Sequence, residues 1–92
     1  MTNDVYTKSD IAYSAEINGR TVVVNMETGL FYHLDEAGCL IWRLLEKPST
    51  VSDVAAGVSK ECEISVSECE ADVAEFIDSL YSKNLITKIT EM

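Results

Sequence analysis

Residues 17–20 read INGR, and no other short stretch restricts the fold as much. An Asn-Gly pair between alternating segments favours a two-residue type I′ turn, because both residues accept positive φ. That turn sets Ile17 opposite Arg20, Ala15 opposite Val22, Tyr13 opposite Val24 and Ile11 opposite Met26. These residues share one face, while Ala12, Ser14, Glu16, Thr21, Val23 and Asn25 share the other. One face is largely apolar and the other mostly polar, as in an antiparallel sheet covered on one side.

A second hairpin is expected at Glu27-Thr28-Gly29, a three-residue loop whose last position takes the left-handed conformation that Gly29 accepts. It pairs Met26 with Leu30, Val24 with Tyr32 and Val22 with Leu34, which extends the apolar face. Phe31 and His33 then fall on the outer side, beside Val23 and Asn25. A two-residue Thr-Gly loop would turn the strand over and bury Phe31 and His33 instead. The longer loop is preferred because it joins three apolar pairs in one layer.

The period then changes from two to 3.6. Asp35 can cap a helix over about 36–47, with Ala37, Leu40, Ile41, Leu44 and Leu45 on its apolar stripe and Pro48 as its stop. Thr50 with Asp53 resembles a capping box and opens a helix over about 50–60. Ser67 with Glu70 is the better capping box and opens the longest helix, about 67–83, with Cys69, Val73, Phe76, Ile77 and Leu80 inward. The tail LITKI either adds a last strand or packs Leu85 and Ile86.

Strands over about 11–17, 20–26 and 30–34, then three helices, make an α+β fold with the helices on the sheet's apolar face. The expected domain spans 11–92 behind a flexible N-terminal segment, 1–10. The third strand is a sheet edge holding Leu30, Phe31 and Tyr32, without Lys or Pro to protect it. An open apolar edge is an aggregation hazard unless it is covered or used.

Composition removes several classes of function. Ninety-two residues make one small domain. A net charge of −9, with the basic residues dispersed along the chain, repels a phosphate surface. The start, MTNDVYTKSD, lacks the basic and apolar regions of a signal peptide, so a cytoplasmic location is expected. Cys39, Cys62 and Cys69 form no CxxC pair, and with His33 they match no standard zinc spacing. They suit bystander thiols in a reducing compartment. No GxSxG, HExxH, phosphate loop or dinucleotide fingerprint occurs, and His33 points away from the helix that carries Cys39, so no enzyme is expected.

Trp42 lies about one residue off its helix's apolar stripe, which suits a core anchor or one wall of a partner groove. On the last helix Glu68, Glu70, Asp72, Glu75 and Asp78 meet no basic residue before Lys83. Asp72, Ser79 and Lys83 share one flank beside Phe76; Glu70, Ala74 and Tyr81 mark the opposite one. A groove between one of these flanks and the third strand suits an extended peptide added as a further strand.

The run VVVNMETGLFYHLDEAGCLIWRLLEKPSTVSDVAAGV, followed by EADVAEFIDSLYSKNLI, resembles the PqqD family. The matching positions are Gly29, Tyr32, Leu34, Gly38, Ile41, Trp42, Pro48, Asp72, Val73, Phe76, Ile77, Leu80, Leu85 and Ile86, in a pattern covering roughly residues 11–88. Asp35 stands where the family usually has Asn, and both cap helices. Asn84 replaces the usual Gly after the last helix, and Asn also tolerates the left-handed region.

The resemblance implies a winged-helix-like recognition element that binds the leader of a ribosomally made precursor peptide and presents it to a modifying enzyme. It implies strand addition beside the third strand, against the last helix, and no cofactor. The implied partner is a radical SAM protein or, for lasso peptides, a leader peptidase and cyclase. Peptide-contacting candidates are Leu30, Phe31, Tyr32 and His33 of the strand and Asp72, Phe76, Ser79 and Lys83 of the helix. Two alternatives remain: a winged-helix DNA-binding module, and a regulatory subunit that docks an enzyme without peptide. The open edge leaves the chain a monomer, or a dimer through that edge.

Overall fold

The computed structural model describes residues 4–89. In chain order these form β1 (Val5–Lys8), β2 (Ala12–Ile17), β3 (Arg20–Asn25), β4 (Phe31–His33), α1 (Glu36–Leu44), α2 (Val51–Cys62), α3 (Val66–Ser82) and β5 (Ile86–Ile89). Strands β2, β3 and β4 build an antiparallel sheet in that order, and β1 pairs with β5 in a second, two-stranded sheet. The fold is α+β.

The first hairpin has the expected register, with Ile17 opposite Arg20 and Tyr13 opposite Val24. Both turn residues take positive φ, 54° at Asn18 and 79° at Gly19. The second hairpin is one residue out of step with expectation. Val22, Val23 and Val24 pair with His33, Tyr32 and Phe31, rather than Val22 with Leu34 and Val24 with Tyr32. Asn25 causes the slip by closing a longer loop, 26–29. Its N–H donates to the Leu30 carbonyl at 2.9 Å, and its own carbonyl accepts from Gly29 at 2.7 Å. Its Oδ1 accepts the N–H groups of Glu27 and Thr28 at 2.9 and 3.1 Å, an Asx turn.

A one-residue slip exchanges the faces of the strand it moves. Strand β4 keeps its expected orientation, with Leu34 beyond it buried, Tyr32 half-buried, and Phe31 and His33 exposed. The face of β3 that meets the helices is the one expected to be outward, although Val22 on the other face is also buried, at 4% exposed. Val23 and Asn25 are 0% and 2% exposed, whereas Tyr13 and Ile17, expected in the core, are 61% and 53% exposed. The helices therefore cover the face that alternation marks as polar. Asn25 is satisfied there because its Nδ2 donates to the Lys83 carbonyl at the end of α3, 3.0 Å away.

Helix α1 begins where Asp35 accepts the Gly38 N–H at 2.7 Å. It ends at Leu44, short of residue 47. Pro48 disfavours helical backbone at Lys47, and Ser49 exchanges two backbone hydrogen bonds with Tyr6, at 2.7 and 2.9 Å. Helix α2 has its capping box of Thr50 and Asp53 and closes on left-handed Glu63. The cap of α3 is Ser65 rather than Ser67. Its Oγ accepts from the Glu68 N–H and donates to the Glu68 carboxylate, each at 3.2 Å. Asn84, at φ 61°, ends α3 in a Schellman motif, with Leu85 donating to Leu80 and Asn84 to Tyr81.

Residues 5–8, expected within a flexible segment, form β1. They pair with the LITKI tail, Tyr6 opposite Lys88 and Lys8 opposite Ile86. Tyr6 is buried, with its ring edge-on to Tyr81 at 6.1 Å. The β-branched and aromatic run Val5-Tyr6-Thr7 favours a strand, but its partner lies at the far end of the chain, out of reach of local patterning. Residues 1–3 of the expected flexible segment and 90–92 of the expected domain lie outside the described residues. One core joins the helices to Tyr6, Val23, Leu34, Leu85 and Ile86, with Trp42 inside it as an anchor.

Candidate functional site

Among the described residues strand β4 has a partner on one side only. Bonds from Asn25 to Leu30 and from Leu34 to Thr21 bracket it. Hydrogen bonding to an antiparallel neighbour alternates along a strand, so Tyr32 bonds to β3 while Phe31 and His33 turn their N–H and C=O groups to the open side. Phe31 and His33 thus offer backbone there, and their side chains lie on the outer face. Tyr32 is the reverse, with its backbone used and its ring directed toward α3.

Beside this edge stands the α3 flank of Asp72, Phe76, Ser79 and Lys83. The Lys83 ammonium lies 5.6 Å from the Tyr32 ring centroid and donates to Ser79 Oγ at 2.7 Å. Phe76 rests on α1 at Gly38, where a Cβ would come within 2.9 Å of its ring. Gly38 has no side chain, and that lets the tip of the ring come close to the helix. A groove of about 530 Å³ continues from the end of β4 between the three helices. Its apolar lining includes Ile41, Val58, Ile64, Val73 and Phe76, and its acidic lining is Asp35, Asp72 and Glu75.

Tyr32, Phe76, Ser79 and Lys83 therefore come together, with Asp72 farther along the groove. Leu30 sits in the loop before β4 and is 55% exposed. The opposite flank does not line the groove: Tyr81 packs on Tyr6 with Lys88 over its ring at 4.8 Å. Sequence patterning missed Gly38, Val58, Ile64 and Glu75. A glycine three residues after a helix cap was the one local signal, because the helix tolerates it only at a cost of about 1 kcal/mol.

A second cleft, about 860 Å³, opens under the tip of the β2–β3 hairpin against α1. Lys8 lies there, 4.6 Å from the Trp42 ring centroid and 2.6 Å from the Glu46 carboxylate. That contact holds the Glu46 carboxyl below its ordinary value, first through the hydrogen bond and then through charge. Among the described residues no three His, Cys, Asp or Glu side chains gather as metal ligands. Nor is any helix there long and apolar enough to cross a membrane.

Over residues 20–86 the sequence matches the family described as coenzyme PQQ synthesis protein D (PqqD). The chain belongs to the PqqD family. Comparison with curated proteins finds no match. Among solved structures, TbiB1 in complex with the TbiA(beta) leader peptide is similar to this PqqD-family chain at a TM-score of 0.80 and 27% identity, over 92% of this chain and 99% of that one. Lasso peptide synthetase B1 complexed with its leader peptide aligns at 0.77 and 21% identity, over 89% and 96%, a likeness of fold.

Proposed function

We propose that this PqqD-family chain binds the leader segment of a ribosomally made precursor peptide by strand addition to β4, and presents it to a modifying enzyme. The observation that carries this role is the open edge at Phe31 and His33 beside an apolar, acid-lined groove. Membership of the family and the likeness to TbiB1 with its leader peptide support it. The chain contributes binding rather than catalysis, with no cofactor of its own. The enzyme served is a radical SAM protein or a leader peptidase and cyclase.

Each edge group that gains a partner contributes about 0.5–1.5 kcal/mol net, and ordering the peptide offsets part of that. The edge therefore holds any extended segment weakly, and the groove chooses among them. Tyr32, Phe76, Ser79, Lys83 and Asp72 are the side chains that choose; Phe31 and His33 serve the backbone edge, and Leu30, its backbone already bonded, offers only its exposed side chain. DNA binding has no support here, because α3 carries five acidic residues and no Lys or Arg.

Amide exchange on the full chain tests this role, with the leader half of a precursor encoded beside its gene as the probe. Phe31 and His33 amides gain protection on binding, while Tyr32, already paired with Val23, gains little. Protection confined to residues outside 29–34 and 68–83 would rule the groove out.

A further inference from the structure

Opposite charges flank the groove: Asp72 and Glu75 line it, and Lys83 stands next to its Ser79. Helix α3 runs antiparallel to β4. Asn25 pairs with Leu30 at the start of β4 and bonds the Lys83 carbonyl at the end of α3. Phe76 rests on Gly38, past the end of β4. Lys83 therefore stands beside the start of β4, and Asp72 and Glu75 lie beyond its end. Lys83 bonds Ser79, and among the described residues no carboxylate pairs with it.

Among the described residues no basic side chain lines the groove. Asp72 and Glu75 make no ion pair among the described residues, unlike Asp35, which is engaged by the Gly38 N–H. Both also lie past the first turn of α3, where an acid no longer complements the helix dipole. Phe76 lies between Asp72 and Lys83 along α3, and Ile41, Val58 and Ile64 add to the apolar lining of the same groove. The helix does not require the acidic pair, which stands exposed at the groove and open to a cationic occupant.

All strand pairs among the described residues are antiparallel. A strand added antiparallel to β4 runs in the same direction as α3. We infer, resting on the leader-binding role proposed above, that the groove selects its peptide by charge order. The preferred segment carries Lys or Arg in its N-terminal part, apolar residues in the middle, and Asp or Glu toward its C-terminal end. Exposed pairs of this kind are individually weak and screened by salt. They fix direction and register among apolar binders rather than supply bulk affinity.

A display library of random peptides, long enough to span the groove and panned on the full chain, tests the charge order. The enriched pool should show base, apolar and acid in that sequence. Panning on the triple variant Asp72→Lys, Glu75→Lys, Lys83→Glu should invert it. A milder variant, Asp72→Asn with Glu75→Gln, should lose only the preference for a base, and circular dichroism checks that both fold. A synthetic peptide from the first pool should bind about tenfold more tightly at low salt than its charge-swapped counterpart, with the gap closing as salt rises.

Pools that protect the Phe31 and His33 amides without any charge order overturn this inference and leave the leader-binding role standing. Peptides that bind without protecting those amides overturn the role itself. A library that yields no enriched peptide counts against both.

Discussion

The inner face of the β2–β4 sheet places Val23, Asn25 and Tyr32 against the helices, and the outer face turns Tyr13, Ile17, Val24 and Phe31 away from them. By composition the outer face is the more apolar, yet Val23 is 0% exposed and Phe31 64%. The inner face can be buried because both polar ends of the Asn25 side chain have partners. Its Oδ1 closes the 26–29 loop and its Nδ2 holds the end of α3. One satisfied polar residue that ties sheet to helix outweighs several apolar residues with nothing to pack on, because burial requires a partner surface.

Replacing Asn25 tests that comparison most severely. Asn25→Val restores apolar character but removes three side-chain hydrogen bonds and leaves the Lys83 carbonyl unpaired, so unfolding in urea should show a loss of about 3 kcal/mol. A loss below about 1 kcal/mol would mean that the inner face does not depend on Asn25. Next comes Val23→Ala, which removes two buried methyl groups and should cost about 2 kcal/mol, a fall of roughly 10 °C in Tm.

On the outer face, Tyr13→Ser or Ile17→Thr should stay within about 0.5 kcal/mol of the parent by the same measurement. A cost near that of Val23→Ala would show that the outer face is covered in solution. The smallest effect belongs to Lys8 and Glu46 under the hairpin. The Glu46 carboxyl is lowered in the folded chain, chiefly by its hydrogen bond from Lys8. Its contribution is therefore present above the ordinary carboxylate range and fades as pH falls through the lowered value. Glu46→Gln should slightly flatten the acid side of a stability–pH profile measured by thermal melts; an unchanged profile would show that the pair does not couple to folding.

Much of the fold was legible because its signals are local. Asn18-Gly19 fixed the first register, Asp35 and the Thr50–Asp53 box placed two helix starts, and Asn84 closed α3 in the left-handed region. The cap at Ser65 was displaced by two residues from Ser67, since both serines precede a glutamate at capping-box spacing. The candidate site was legible in part, through the bare edge and the stripe from Asp72 to Lys83. Phe31 and His33 were expected as side-chain contacts, whereas what they offer along the open edge is backbone, a distinction that depends on the hydrogen-bond phase of the β3–β4 pair.

Turn residues, helix caps and the 3.6-residue stripes were determined by the sequence itself, because each arises from residues a few positions apart. Which face of the hairpin is buried was decided only in three dimensions. It depends on the Asn25 side chain reaching the end of α3, far along the chain. The pairing of β1 with β5 was decided in the same way, through contacts between opposite ends of the domain. So was the groove, which exists because Gly38 on one helix lets Phe76 of another lie against it.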